Sequence, residues 1–243
     1  MKILVFGNSH LGPLKGSFHQ KKPPHVFFDS NTFDFVGVIG KNFHNIKTSR
    51  EKSEIILPKK FLSKGSGVKQ LRLKESGTEI NSCNFASYDV VIWAQGFNLI
   101  YLYHSIFGGT KEYKPAMLTK SLAQILFERI FKANKLLSIM RSESPNTRFL
   151  YTGQPLTFSY HQVVNKKRFA NASSIHSRNI NYLRDVMFET RKQLGLVMSP
   201  ATCIHPSGLF SLEEFSFDIK QDKGHAGLNY GQHLWKEIID LIE

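Results

Sequence analysis

A chain of 243 residues with 41% hydrophobic and 12% aromatic content is long and apolar enough to bury one substantial core, which excludes a disordered chain. Its formal net charge of +13 attracts anions, yet Lys21-Lys22, Lys59-Lys60 and Lys166-Lys167-Arg168 are scattered. They form no basic tail or helical stripe, so nucleic-acid binding is not expected. In chain order, Lys2-Ile3-Leu4-Val5-Phe6 is a short apolar run that meets Gly7-Asn8, the pattern of a buried parallel strand entering a turn. A helix over His10 to Gln20 follows, weakened by Gly12, Pro13 and Gly16, and then strands at Val26-Phe27-Phe28 and Phe33 to Ile39. The Lys-, Ser- and Gly-rich stretch 41–88 reads as a basic excursion, with short strands at Glu54 to Leu57 and Val68 to Leu73.

Asp89 to Ala94 is the strongest internal strand and ends at Gln95-Gly96. Apolar spacing predicts a long helix from Met117 to Met140, a strand over Arg148 to Tyr151 ending at Gly153, and a second long helix from Ser173 to Leu194 stopped by Gly195. Tyr230 to Ile242 closes the chain as a helix. Strands alternating with helices imply an α/β fold, a three-layer α/β/α sandwich with a mostly parallel central sheet. With no internal repeat and no linker, residues 1–243 form a single domain in this reading.

No apolar run reaches the length of a membrane span, and Met1 to Phe6 lack the features of a signal peptide. Cys83 and Cys203 have no metal-ligand spacing and are either two thiols or one bridge, with cytosolic free thiols the default. A cytoplasmic chain is therefore expected. The segment starting at Gly7 has the opening of a phosphate-loop spacing, but Pro13-Leu14 stands where Lys and Ser or Thr are required, which removes that nucleotide reading.

In such sheets, ligand sites form beyond the carboxyl ends of the strands. Three residue groups fall there: Gly7-Asn8-Ser9-His10 after the first strand, Gly96-Phe97-Asn98 after the best internal strand, and Asp222-Lys223-Gly224-His225 in a loop before the last helix. Taken together and in this order, they resemble the SGNH (GDSL-like) hydrolase family. Gly7-Asn8-Ser9 is similar to its first block, with Asn8 where many members carry aspartate. Gly96-Phe97-Asn98 is similar to its Gly-x-Asn block, and Asp222-x-x-His225 to its last.

What the resemblance implies is a nucleophilic Ser9, a general base His225 and an orienting Asp222. The Ser9 backbone N–H, Asn98 and a second-block glycine, for which Gly40 and Gly37 are the candidates, would form the oxyanion hole. The chemistry needs these types. A serine hydroxyl attacks an acyl carbonyl only when a base takes its proton, histidine titrates near neutral pH, and a carboxylate stabilises the charged imidazole.

The function expected is a serine-dependent acyl ester hydrolase removing an acetyl group from a carbohydrate, such as an acylated or acidic glycan, through an acyl-serine intermediate. No cofactor and no metal are expected. The first alternative is an O-acetyltransferase, with acetyl-CoA as co-substrate and a glycan hydroxyl as acceptor. The second is a non-catalytic glycan-binding module, against which stands the full occupancy of the triad positions. Read singly, Ser9 is also a helix cap, Asp222 and Asn98 are turn formers, His10 is a packing residue, and His161, His176 and His205 are structural or exposed.

Overall fold

The computed structural model describes residues 1–20, 26–37, 47–49, 54–56, 82–94, 99, 119–125, 135–153, 155–156, 174–208, 210–218 and 222–243. The first apolar run forms β1 (Lys2–Gly7), and the chain returns through α1 (Leu11–Gln20) and α2 (Val26–Asp29) to β2 (Thr32–Gly37). Three short strands, β3 (Lys47–Ser49), β4 (Glu54–Ile56) and β5 (Ser82–Asn84), then build a separate antiparallel sheet within the basic stretch. The main sheet resumes with β6 (Val90–Ala94), β7 (Arg148–Thr152) and β8 (Leu196–Val197), between which lie α3 (Lys135–Glu143) and α4 (Ser174–Leu194). A hairpin of β9 (Ser216–Asp218) and β10 (Asp222–Ala226) leads into α5 (Leu228–Ile242).

The main sheet has the order β2-β1-β6-β7-β8, and every neighbouring pair is parallel. Central parallel strands are covered on both faces and need apolar side chains at every position. Ile3, Leu4, Val5 and Phe6 are accordingly all buried, and alternation sends Leu4 and Phe6 to one face and Ile3 and Val5 to the other. On the first face, Val91, Trp93, Phe149 and Tyr151 pack against Met140 of α3 and Ile180, Leu183 and Met187 of α4. On the second, Phe33, Phe35 and Ile92 pack against α1, α2 and α5. The three-layer α/β sandwich is the observed architecture. Among the described residues, no helix is long and apolar enough to cross a membrane.

Several expectations are corrected. Val26-Phe27-Phe28 is one turn of helix, with Ser30 N–H bonded to the Val26 carbonyl at 3.0 Å. A strand would point adjacent phenylalanines to opposite sides; the helical turn lets Phe27 and Phe28 enter the same cluster while Val26 stays exposed. The helix expected over Met117 to Met140 is described as helix at 120–125 and as α3, which ends at Glu143 rather than Met140; residues 126–134 lie outside the described residues. Val68 to Leu73 lies outside them as well. The expected stop at Gly195 is met by a left-handed residue, φ 66°, the conformation in which glycine ends a helix.

The two cysteines form no disulfide, and they sit on opposite faces of the sheet. That separation rules out the bridge, which needs adjacent Cβ atoms. Burial pushes the Cys203 thiol up to about 12, so it stays protonated and unreactive at neutral pH. Iodoacetamide at pH 8 is expected to add nothing to the native protein and two adducts after denaturation, read by intact mass. A native adduct would contradict the buried placement of Cys83 and Cys203.

Candidate active site

The carboxyl end of the sheet is cleared by small residues. Gly7 at the end of β1 lies in register with Gly37 on β2 and Ala94 on β6. Beyond this row the chain turns sharply into α1. The Asn8 side chain accepts from the His10 N–H at 3.0 Å, while the Asn8 and Ser9 carbonyls take the N–H groups of Leu11 and Gly12 at 3.0 and 3.1 Å. Asn8 therefore supplies a side-chain acceptor at the helix entrance, and this accounts for an asparagine there. The Ser9 side chain is exposed at the tip of the turn.

From the other end of the chain, β10 brings His225 to the same place. Its Nε2 lies 3.0 Å from Ser9 Oγ, although 216 residues separate the two. The His225 ring also stacks on His10, with centroids 5.5 Å apart and planes 28° apart.

The segment carrying His225 was expected to be a loop and is a strand, paired with β9. Asp222 stands opposite Asp218 and Ala226 opposite Ser216, so four steps along β10 match two along β9. The extra residues form an irregularity of the bulge kind, which breaks the alternation of side-chain direction. In an unbroken strand, residues three apart would face opposite sides. The structure fixes Asp222 by its backbone pairing, and its carboxylate lies outside the described atoms. Asn98 and Gly40 lie outside the described residues, whereas Gly37 sits at the strand end, two neighbours from Ala94.

Close packing of α1 on α5 holds the two halves together. Trp235 donates its indole N–H to the Leu14 carbonyl at 3.0 Å. Gly231 lies so close to the Pro13 carbonyl that any Cβ would collide with that backbone oxygen and with Ser17 Oγ, which it would meet at 2.7 Å. Gly231→Ala is thus expected to push α5 off the first turn of α1 and cost about 1–3 kcal/mol, measured as a lower urea midpoint. An unchanged midpoint would show that the helices separate freely.

No protein-family model matches the chain, and no curated protein matches it. Among solved structures, it is similar to a protein described as a GDSL-like lipase from Parabacteroides merdae, at 12% identity over 99% of this chain and 94% of that one, with a TM-score of 0.41. It is also similar to the periplasmic domain of a lipopolysaccharide acetyltransferase from Salmonella ser. Paratyphi A, at 11% identity over 99% and 83% of the two chains, TM-score 0.39. A third is a family two carbohydrate esterase from Clostridium thermocellum, at 11% identity, 99% and 62% coverage, TM-score 0.34. These likenesses are distant. The reading of the site rests on this chain's own residues.

Around the Ser9–His225 pair lies a cleft of about 320 Å3, lined by Ser9, Gly12, Pro13, Phe217, His225, Ala226, Gly227 and Leu228. Sequence reasoning assigned roles to Ser9 and His225 in that set and placed Leu228, with Asn229-Tyr230-Gly231, in the block after His225, but it did not single out Phe217 as part of the site. Two other described histidines, His205 and His233, serve the scaffold, while His161 and the side chain of His176 lie outside what the structure describes. His205 accepts from the Ser207 N–H at 3.2 Å and stacks on Phe210 with centroids 4.1 Å apart. His233 meets Thr202 Oγ1 at 3.0 Å, and its pKa is lowered by burial and by Lys236. Among the described residues, no three His, Cys, Asp or Glu side chains gather to hold a metal ion.

Proposed function

We propose that this protein is a serine-dependent acyl ester hydrolase acting on a carbohydrate ester, with Ser9 as nucleophile and His225 as base. The observation that carries the proposal is the 3.0 Å contact between Ser9 Oγ and His225 Nε2 at the mouth of an open cleft. A hydroxyl at that distance can pass its proton to the ring as the oxygen attacks a carbonyl carbon. The base then returns that proton to the leaving alcohol, and an acyl-Ser9 ester remains. Water repeats the sequence with the same base, releasing the carboxylic acid and restoring the serine.

Asp222 completes the triad in this reading by holding the second ring nitrogen of His225, and the broken alternation of β10 supports that role. The N-terminus of α1 adds a positive partial charge beside Ser9, where the oxyanion develops. Its hydrogen-bond donors are the Ser9 N–H, the Asn98 amide and a glycine N–H from the second block, Gly40 or Gly37. The carbohydrate, and acetyl as the simplest acyl group, come from the resemblance of the three sequence blocks.

The test is intact-mass spectrometry after incubation with p-nitrophenyl acetate and, separately, with acetyl-CoA. Nitrophenol release that needs Ser9 supports the hydrolase. A stable acetyl adduct from acetyl-CoA that discharges only onto a glycan would replace it with the transferase. No adduct and no turnover from either donor would leave a glycan-binding module.

A further inference from the structure

The cleft beside Ser9 has more room than an acetyl group fills and offers the wrong surface to a sugar. At about 320 Å3 it falls at the small end of ligand sites, which run roughly from 300 to 1,000 Å3. Gly12 and Pro13 contribute one side from the first turn of α1, Phe217 comes from β9, and Ala226, Gly227 and Leu228 add to the described lining. Among the described residues, no side chain lining it apart from the Ser9 hydroxyl and the His225 ring can form a hydrogen bond. A sugar buried there would lose hydration without finding partners.

Two further observations point the same way. Phe217 is 71% exposed, whereas its neighbour Phe215 is 8% exposed and part of the core. A large ring held in water at the lip of a cleft gains burial only when an apolar group lies against it. At Gly12, a Cβ would meet nothing within 4 Å, so space beside the first turn of α1 is empty.

We infer that the cleft is an acyl-chain pocket, walled by Pro13, Phe217 and Leu228 and kept open by Gly12, that selects straight acyl groups longer than acetyl. The inference rests on the serine acyl reading above and refines its substrate. Once a polar carbohydrate is the leaving alcohol, the apolar surface beside the nucleophile is left to the acyl side of the ester. A chain of roughly six carbons, at about 30 Å3 for each group the size of a water molecule, takes a little over half of the volume and leaves the open side to the sugar.

The experiment measures kcat/KM for p-nitrophenyl acetate, butyrate and hexanoate with the wild type, Gly12→Leu, Phe217→Ala and Ser9→Ala. In the wild type, kcat/KM is expected to rise by about two- to four-fold per methylene. Gly12→Leu fills the empty space and lowers the hexanoate-to-acetate ratio by about ten-fold; Phe217→Ala removes one wall and lowers it by about three-fold. Phe217 is exposed and Gly12 has room, so both variants are expected to keep the wild-type Tm. A flat series, or ratios unchanged in both variants, while turnover still needs Ser9, would overturn the pocket alone. The same holds if acetates of lengthening alcohols, rather than lengthening acyl groups, gain rate. Turnover that persists in Ser9→Ala would instead overturn the underlying reading.

Discussion

Ser9→Ala is expected to lower kcat for p-nitrophenyl acetate by about 10⁴-fold or more, and His225→Ala by a similar factor. Removing either member leaves the other without a partner in the same proton transfer. The double variant should therefore be no slower than the worse single one, because residues acting as a unit do not contribute additively. Stability should hardly change in Ser9→Ala. Its hydroxyl is exposed, and the side-chain acceptor at the entrance of α1 comes from Asn8 rather than Ser9. Exposed substitutions of this kind usually stay within about 0.5 kcal/mol. A folded variant with a rate within ten-fold of wild type would end the case for Ser9, and the same result in His225→Ala would end the case for its base.

Trp235→Ala carries the largest expected cost to the fold, about 3–5 kcal/mol. The side chain is fully buried, with Phe28 and Phe33 ring centroids at 5.3 and 5.7 Å in edge-on contact. Such pairs add about 0.5–1.5 kcal/mol each beyond the area they bury. Its indole N–H also ties α5 to the Leu14 carbonyl of α1. A chain of this size loses roughly 2–4 °C of Tm per kcal/mol, so the thermal transition should fall by about 10 °C. Trp235→Phe keeps most of the ring and gives up the hydrogen bond, about 1 kcal/mol. If the alanine variant melts where the wild type does, the packing described for this face is wrong.

Strands that bury both faces announced themselves in the sequence. Ile3 to Phe6 and Val90 to Ala94 are unbroken apolar runs with turn residues after them, and both became central strands of the sheet. The hairpin was invisible for the opposite reason. Asp222-Lys223-Gly224 has no apolar residue, and Ser216-Phe217-Asp218 alternates over only three residues with its phenylalanine left in water, because β9 and β10 are held by main-chain pairing rather than by an apolar face. β8 has two residues, too few for any periodicity. The misread turn at Val26 shows tertiary packing overriding β propensity, since the aromatic cluster needs Phe27 and Phe28 together.

For the candidate site, the residue types and their order picked out Ser9 and His225, which the fold brings together. Phe217 could not be found that way, since one phenylalanine among twenty reads as core. Only its 71% exposure distinguishes it.

The closeness of Ser9 and His225 also bears on synthesis. Ser9 leaves the ribosome 216 positions ahead of His225, while α1, which follows Ser9, takes its partner surface from α5. On the mechanism proposed above, a nascent chain that has completed β1 to β8 holds the nucleophile without its base, so it would be chemically silent however well its sheet has formed. Hydrolysis by that mechanism would report the docking of α5, and in a refolding experiment activity should return with the burial of Trp235 and no earlier.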